Sequence, residues 1–331
     1  MTPIIPHPRD TFDYQGGEVA ERSFVDALAS GRLHHAWLLV GAEGIGKATF
    51  AYRAARTLLG ASPDPALGIL GARIDDPVCR QIAARAHPDL LVLQRDAEDG
   101  KTRKAIPVEE ARGLSEFFAK TPASAPYRVA IIDTADDLNA NAANAALKIL
   151  EEPPQRGVLL LVSNAPGGLL ATMRSRCRRL RFTSPDEAAA SEWVAAKSGV
   201  DLADARRLVK MAKGAPGRAW RLASAGAIEA DDAARALLRS LPRLDSSVMM
   251  GLADGFRGNG GPGRFEMMLE RMADQVAAMA SNQAVAGEGA MLDRWAETWE
   301  TLVALPRDVE SVNLDRVDAF YTALWRLRSI A

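Results

Sequence analysis

Several features that would narrow the function are scarce or missing in this sequence. Its 331 residues include only two cysteines, Cys79 and Cys177, which argues against a disulfide framework and cannot supply a four-cysteine zinc site. Aromatic residues make up 6% of the chain, a share typical of helical, alanine-rich packing. No apolar run approaches the roughly 18 residues of a membrane span, so we expect a protein of the reducing cytoplasm.

An excess of charge of one sign is also missing. Lys and Arg total 41 while Asp and Glu total 42, which gives a formal net charge of −1. Because no positive field covers the whole protein, we expect any contact with DNA to be local or shared with partner proteins.

Short apolar runs alternate with helix-length polar segments between residues 37 and 182. This alternation is typical of a buried parallel sheet with crossover helices. It predicts strands at 37–40, 89–93, 128–133, 158–163 and 178–182. It also predicts helices over 46–59, 108–120 and 139–152, the last of them capped by Asn139.

The pattern changes after residue 184 to alanine-rich helical periodicity, which predicts a small lid of three short helices. Longer helices follow residue 228, with a flexible glycine-rich loop predicted at 258–263 and a last helix behind an Asn313 cap. A chain of this length exceeds one ordinary core. We therefore predict three domains, at residues 1–183, 184–227 and 228–331.

A glycine-rich segment follows the first predicted strand and precedes a helix. Its glycines are Gly41, Gly44 and Gly46, and Lys47 comes directly after them. Backbone N–H groups in such a turn can surround phosphates while a lysine meets their charge. The segment is therefore predicted to descend from a phosphate-binding P-loop, with a turn that binds nothing as the alternative.

The chemistry that normally accompanies such a loop is incomplete. Ala48 stands where a Ser or Thr hydroxyl would bind Mg²⁺, and Thr49 faces about 100° away on a helix. Asp133 would hold Mg²⁺ through water, but Thr134 stands where a catalytic carboxylate is needed. Asp136 is an alternative carboxylate, although a polar position at a helix start explains it more simply. We expect no intrinsic ATP hydrolysis, and nucleotide binding stays open.

Three segments together resemble the clamp-loader family of AAA+ proteins. They are Asp133–Leu138, Asn144–Pro154 and Ser175–Cys177. The resemblance covers roughly residues 33–182 and includes Asn164 near the family's sensor 1 position. It implies an α/β AAA+ P-loop domain with a five-stranded parallel sheet, a small helical lid domain and an all-α C-terminal collar domain.

In that family, the motif at Ser175–Cys177 is an arginine finger that reaches the γ-phosphate held by a neighbouring subunit. The resemblance therefore assigns a chemical role to Arg176. The other arginines nearby are interpreted as a solvated charged edge: Arg174, Arg178, Arg179 and Arg181. Gly217 occupies the usual sensor 2 arginine position, with Arg218 one residue further on, and this departs from the family pattern.

A lost nucleotide chemistry beside an intact finger is similar to the delta-prime-like subunits of the family. The resemblance implies a subunit of the DNA polymerase III holoenzyme that helps to load the sliding clamp on primed DNA during replication. Its implied partners are gamma/tau and delta subunits, with the clamp and primer–template DNA reached through the complex, and no membrane. We expect no required cofactor and no zinc, since Cys79 and His87 alone cannot hold the metal.

Two other functions stay open at this point. One is an active gamma/tau-like ATPase that uses Lys47 and Asp133. The other is a DNA-binding AAA+ protein such as a helicase loader or branch-migration motor, which would need a dedicated basic domain. A basic loop at 101–104 either faces DNA or is a solvated loop tip.

Overall fold

The chain divides into two compact units, Pro3–Trp220 and Arg221–Ala331. The computed structural model describes residues 5–95, 103–241, 246–258, 260–285 and 292–328, so the predicted basic loop at 101–104 lies partly outside the described residues. The predicted division into three domains stays a prediction, because the first compact unit contains most of the predicted lid together with the sheet.

A parallel sheet forms the centre of the first unit. Within the described residues its strands are β1 (Ala36–Val40), β2 (Leu90–Gln94), β3 (Arg128–Asp133), β4 (Gly157–Ser163) and β5 (Arg178–Arg181). Their order is β2-β3-β4-β1-β5, and neighbouring strands run parallel. Each strand begins and ends within one residue of a predicted apolar run, so the five-stranded parallel sheet is confirmed.

In the first unit the α-helices are α1 (Glu18–Ala29), α2 (Lys47–Leu58), α3 (Pro77–Ala83), α4 (Val108–Ala119), α5 (Ala140–Glu151), α6 (Ala171–Arg176), α7 (Glu187–Ser198), α8 (Leu202–Met211) and the start of α9 (Pro216–Ser224). Helices α2 to α6 connect successive strands, whereas α1 precedes the sheet and α7 to α9 follow it. The Asn139 side chain accepts a hydrogen bond from the Ala142 N–H at 2.9 Å, so the predicted cap of α5 is confirmed.

The central strands β1, β3 and β4 are buried on both faces, which explains why they are nearly continuous apolar runs. Alternate residues of β1 point to opposite sides, since successive side chains alternate along a strand. Trp37 and Leu39 pack with α1 and α2 in one core, whereas Leu38 and Val40 pack with α4 and α5 in the other. Both cores hold the strand ends in fixed positions, and those ends carry the candidate site.

Within the described residues, the second unit is built from helices joined by short turns. Its helices are α10 (Ala227–Arg239), α11 (Ser246–Asp254), α12 (Gly261–Val285), α13 (Leu292–Val312) and α14 (Arg316–Arg328). They share a core in which the Phe256 ring lies 5.4 Å from Phe265 and 4.9 Å from Phe320, between centroids. This confirms the predicted all-helical C-terminal region. Among the described residues, no helix has the length and hydropathy to span a membrane.

Two local predictions for this unit are wrong. Asn313 does not cap the last helix: it has a φ of 52°, and the Asp315 carboxylate accepts from the N–H groups of Val317 and Asp318 instead. The predicted glycine-rich loop is also shorter than expected, because Gly261–Gly263 already form the first turn of α12. The early helical positions tolerate Pro262, whose missing N–H would have no intrahelical partner there.

Candidate functional site

The carboxyl ends of the central strands bring the predicted nucleotide-site residues to one edge of the sheet. Val40 pairs with Ser163, so the glycine-rich loop after β1 lies beside the segment that follows β4. Asp133 ends β3, the strand on the other side of β4. Ligand sites of parallel α/β sheets form at this edge because loops from neighbouring strands meet there.

The three loop glycines are each required by the local geometry. Gly44 and Gly46 have φ angles of 74° and 101°, in the left-handed region that favours glycine. A Cβ on Gly41 would lie 2.7 Å from the Phe182 carbonyl oxygen. Gly46 directly precedes α2, so the loop keeps the strand-to-helix form that the sequence predicted.

Lys47 is turned back onto its own chain. Its Nζ donates at 2.7 Å to the carbonyl oxygens of Gly41 and Ala42 and to Oδ1 of Asn164. An ammonium group has three N–H donors, so these three acceptors can use all of them. The residue is only 3% exposed, which leaves its charge inside the protein.

The start of α9 packs directly on the loop. The Gly217 N–H donates to the Gly44 carbonyl oxygen at 2.9 Å. A Cβ on Gly217 would lie 2.8 Å from that oxygen, and a Cβ on Gly44 would lie 2.4 Å from the Arg218 backbone nitrogen. Only glycine permits this approach at either position. The residue that departs from the sensor 2 pattern therefore has a packing role of its own.

Tyr14 covers the loop where α2 begins. A Cβ on Gly46 would lie 2.7 Å from Cε2 of Tyr14, which places the ring edge against the N-terminus of the helix. Burial raises the pKa of the Tyr14 hydroxyl above its usual range; Glu21 also raises it, and Arg53 lowers it. The phenol therefore stays neutral at physiological pH.

Two buried arginines of α2 hold the segment that carries Tyr14. Arg53 donates to the Phe12 carbonyl oxygen at 2.5 Å and forms an ion pair with Glu21 at 2.6 Å. Arg56 donates to the carbonyl oxygens of Thr11 and Arg9 at 3.0 and 2.5 Å. Charged donors of this kind make stronger hydrogen bonds than neutral ones. The N-terminal segment is thus fixed to α2.

The Asp136 carboxylate binds the end of β4. One oxygen accepts from the Ser163 hydroxyl at 2.7 Å, and the other accepts from the Asn164 N–H at 2.5 Å. Thr134 donates its hydroxyl proton to Asp137 at 2.9 Å. Asp136 therefore orients the loop that carries Asn164, the residue that binds Lys47.

The groups of the phosphate loop do not fit a bound triphosphate as they are arranged. The Lys47 donors meet protein acceptors, the α9 backbone contacts Gly44, and the Tyr14 ring occupies the space next to Gly46. Ala48 also supplies no oxygen to a metal ion. A nucleotide would have to displace several of these contacts at once.

Arg176 lies in a different environment, as the last residue of α6. Its Nη2 is 3.1 Å from Oε1 of Glu151, the last residue of α5, and its Nη1 donates to the Thr172 carbonyl oxygen at 3.2 Å. Its side chain is 37% exposed. Cys177 follows it, and burial raises the pKa of that thiol to about 12, which keeps it protonated.

The neighbouring arginines differ among themselves. Arg174 donates to the Pro166 carbonyl oxygen at 3.5 Å. The Arg178 guanidinium lies 4.8 Å from the centre of the Trp37 ring, a cation–π distance. Arg179 and Arg181 point away from the core on β5, which forms one edge of the sheet. Charged side chains of this kind protect an edge strand from pairing with other chains.

The residues considered for zinc have local partners. Cys79 is buried in α3, and the His87 ring nitrogen Nδ1 accepts from the Asp89 N–H at 3.1 Å. Burial lowers the pKa of His87. Across the described ranges, no three His, Cys, Asp or Glu side chains group closely enough to hold a metal ion.

The region that contains this site carries the family relationship. A family model described as "DNA polymerase III, delta subunit" matches residues 17–186, more than half of the chain. The chain belongs to this family. The matched range includes the five strands, the phosphate loop and Arg176, so the family membership predicted from the motifs is confirmed.

Similar proteins of known name support membership of the DNA polymerase III delta subunit family. The DNA polymerase III subunit delta' of Pseudomonas aeruginosa is 38% identical over 196 residues, which are 59% of this chain and 57% of the relative. The subunit delta' of Escherichia coli is 30% identical over 198 residues, 60% of this chain and 57% of the relative. The chain therefore spans little more than half the length of these relatives.

A solved structure supports the fold of this family member. A DNA polymerase III gamma subunit-related protein from Thermotoga maritima superposes with a TM-score of 0.50, over 95% of this chain and 99% of that chain. The sequence identity is 16%, so this likeness shows the fold alone. Together with the sheet order and the helical C-terminal unit, it confirms the AAA+ fold predicted from the sequence.

Sequence patterns missed several contacts that define the site in this family member. They did not predict that Tyr14 covers the loop or that Asn164 binds Lys47. The only signal for the contact with α9 was the departure at Gly217 from the family pattern. Glu151 lies inside the recognised Asn144–Pro154 segment, but nothing in that segment indicated its ion pair with Arg176.

Proposed function

We propose that this chain is a delta-prime-like subunit of a DNA polymerase III clamp loader. It presents Arg176 to nucleotide bound by a neighbouring ATPase subunit and helps to load the sliding clamp on primed DNA during replication. One contrast carries the proposal: the chain's own phosphate loop is filled by its own groups, whereas Arg176 is partly exposed at the end of α6. The delta' names of the relatives support the same assignment.

The chemistry of a guanidinium suits a finger that acts on another subunit. It is planar, stays charged at any physiological pH and can donate two parallel hydrogen bonds to phosphoryl oxygens. Such a group neutralises the charge that develops in the transition state of phosphoryl transfer. Fingers of this kind accelerate hydrolysis by about 10³- to 10⁵-fold.

The proposed partners follow from this role. Gamma/tau subunits supply the nucleotide, a delta subunit completes the assembly, and the clamp and primer–template DNA are reached through the complex. The helices of the second unit act as the collar that joins these subunits. The chain needs no cofactor of its own in this proposal, neither ATP at the loop nor zinc, and it works in the cytoplasm.

The test is hydrolysis by the reconstituted complex. Arg176→Ala is expected to lower ATP turnover at the neighbouring site by about 10³-fold or more, and to lower clamp loading with it. Assembly should be unaffected, because the side chain is partly exposed and its hydrogen-bond and ion-pair partners among the described residues are Thr172 and Glu151. Size-exclusion chromatography checks this.

Arg179→Ala is the matched control, because Arg179 is an exposed arginine of β5 three residues further along the chain. It should leave turnover near the wild-type value. Unchanged turnover in Arg176→Ala would remove the finger assignment. An equal loss in both variants would point to general surface charge instead.

A second candidate, a gamma/tau-like ATPase, has one observation in its favour. The DNA polymerase III subunit tau of Escherichia coli is 30% identical over 179 residues, 54% of this chain and 26% of that protein. The absence of a metal-binding hydroxyl at Ala48 and the internal contacts of Lys47 favour the delta-prime-like role instead.

A further inference from the structure

The guanidinium of Arg176 is held by its own chain. Its Nη2 lies 3.1 Å from Oε1 of Glu151, and its Nη1 donates to the Thr172 carbonyl oxygen at 3.2 Å. Both contacts use the N–H groups that would otherwise be available for a phosphate. A guanidinium has five N–H donors in a fixed fork, so its direction is set by the acceptors that it meets.

The position of the pair in the fold strengthens this hold. Glu151 is the last residue of α5 and Arg176 is the last residue of α6, so two helix C-termini meet at the pair. A helix C-terminus carries partial negative charge and attracts cations such as the Arg176 guanidinium. The Thr172 carbonyl, its other partner, belongs to the second residue of α6. The carboxylate adds a full negative charge to this local field.

The pair is nevertheless accessible to solvent and therefore exchangeable. The side chains of Arg176 and Glu151 are 37% and 51% exposed. By contrast, the ion pair between Arg53 and Glu21 is almost completely buried. Ion pairs open to water are weak and readily lose one partner to a competing anion.

We propose that Glu151 is a positioning residue that holds Arg176 back until a phosphate on the neighbouring subunit displaces its carboxylate. This inference rests on the proposed finger function. Carboxylate and phosphate oxygens accept hydrogen bonds from the same N–H groups of a guanidinium, so they compete for it. Arg176 engages when the neighbouring subunit approaches closely enough for its phosphate to replace the Glu151 carboxylate. Glu151 thereby suppresses hydrolysis in a loosely closed complex.

Removing the charge of Glu151 tests this role in the reconstituted complex. Glu151→Gln should raise ATP turnover in the absence of clamp and DNA by about two- to fivefold, the range that an exposed ion pair can supply. Turnover stimulated by clamp and DNA should change less, so the stimulation ratio should fall. Glu151→Asp keeps the charge and should stay near wild type, whereas Glu151→Ala should behave like Glu151→Gln.

Glu152→Gln is the matched control, since Glu152 is the exposed carboxylate next along the chain. It should leave unstimulated turnover unchanged. The double variant Arg176→Ala, Glu151→Gln decides whether the effect runs through the finger. It should show the low turnover of Arg176→Ala with no increase, whereas a general structural effect of Glu151 would appear in both backgrounds.

The two proposals fail in different ways. Unchanged turnover in Arg176→Ala overturns the finger itself. If Arg176→Ala lowers turnover while Glu151→Gln leaves it unchanged or lowers it, the finger stands and the role of Glu151 is overturned. An increase that persists in the double variant overturns it as well.

Discussion

Lys47 of the phosphate loop and Arg176 at the end of α6 differ in burial and in pairing. Lys47 is 3% exposed and meets three acceptors of its own chain at 2.7 Å. Arg176 is 37% exposed and meets one carboxylate and one carbonyl at 3.1 and 3.2 Å. Both residues belong to the same unit and to motifs that contact phosphate in the AAA+ fold.

The difference shows how burial sets the pairing that each cation requires. A buried cation must be fully paired, because an unpaired charge in the interior costs several kcal/mol. Asn164 and two loop carbonyls supply three acceptors to Lys47, so its charge can stay buried. An exposed cation such as Arg176 has no such requirement, because water can replace a lost partner at little cost to the fold.

The largest expected effect on stability comes from the buried ion pair between Arg53 and Glu21, which holds the N-terminal segment on α2. Arg53→Met leaves the Glu21 carboxylate buried without its ion pair and releases the Phe12 carbonyl. We expect the free energy of unfolding to fall by about 3–5 kcal/mol, measured by urea denaturation. Glu151→Gln, which breaks the exposed pair, should cost less than about 1 kcal/mol.

A double variant separates the pair from the lost packing. Arg53→Met with Glu21→Gln removes the uncompensated charge, so it should recover part of the lost stability. If Arg53→Met cost no more than Glu151→Gln, burial would not distinguish the two regions and the comparison would fail.

Contact between α9 and the loop gives a smaller effect. Gly44 has a φ of 74°, and a Cβ there would lie 2.4 Å from the Arg218 backbone nitrogen. Gly44→Ala should therefore cost about 1–3 kcal/mol, from the left-handed backbone and from displacement of α9. Thermal and urea unfolding measure it.

The control for this substitution lies just before α6. A Cβ on Gly167 would meet no atom within 4 Å, and its φ is outside the left-handed region. Gly167→Ala should change stability by less than about 0.5 kcal/mol. An equal cost at Gly44 and Gly167 would show that α9 does not depend on close approach to the loop.

The sequence predicted the elements better than it predicted these contacts. Continuous apolar runs located β1, β3 and β4 because burial on both faces leaves few polar positions, whereas three of the four residues of β5 are exposed arginines. Asn139 located the start of α5. The cap of the last helix was assigned two residues early, since Asn313 and Asp315 are both good capping residues and only geometry distinguishes them.

Long-range contacts were beyond the reach of local patterns. Tyr14 approaches Gly46 across more than thirty residues of chain, and Gly217 approaches Gly44 across more than 170. A tyrosine or a glycine in the sequence does not indicate which distant residue it will contact. Glu151 and Arg176 are both charged surface residues, and their pairing follows only from how the ends of α5 and α6 meet.

The smallest expected effect concerns Ala48, which stands where the sequence predicts a missing Mg²⁺ ligand. Ala48→Thr restores a hydroxyl at the metal-binding position of the phosphate loop. We expect the isolated chain, with or without this change, to show no ATP hydrolysis above background, including in the presence of DNA. Thr134 still offers no catalytic carboxylate, and Lys47 remains paired with Asn164.

Nucleotide affinity with and without Mg²⁺ makes the test quantitative. Ala48→Thr alone should leave affinity unchanged, because α9 and Tyr14 still contact the loop glycines. Ala48→Ser is the control for the added methyl group of threonine. Magnesium-dependent binding followed by hydrolysis in both variants would mean that the loop opens readily. The contrast between the phosphate loop and Arg176 would then depend on one missing hydroxyl, and the gamma/tau-like function would regain support.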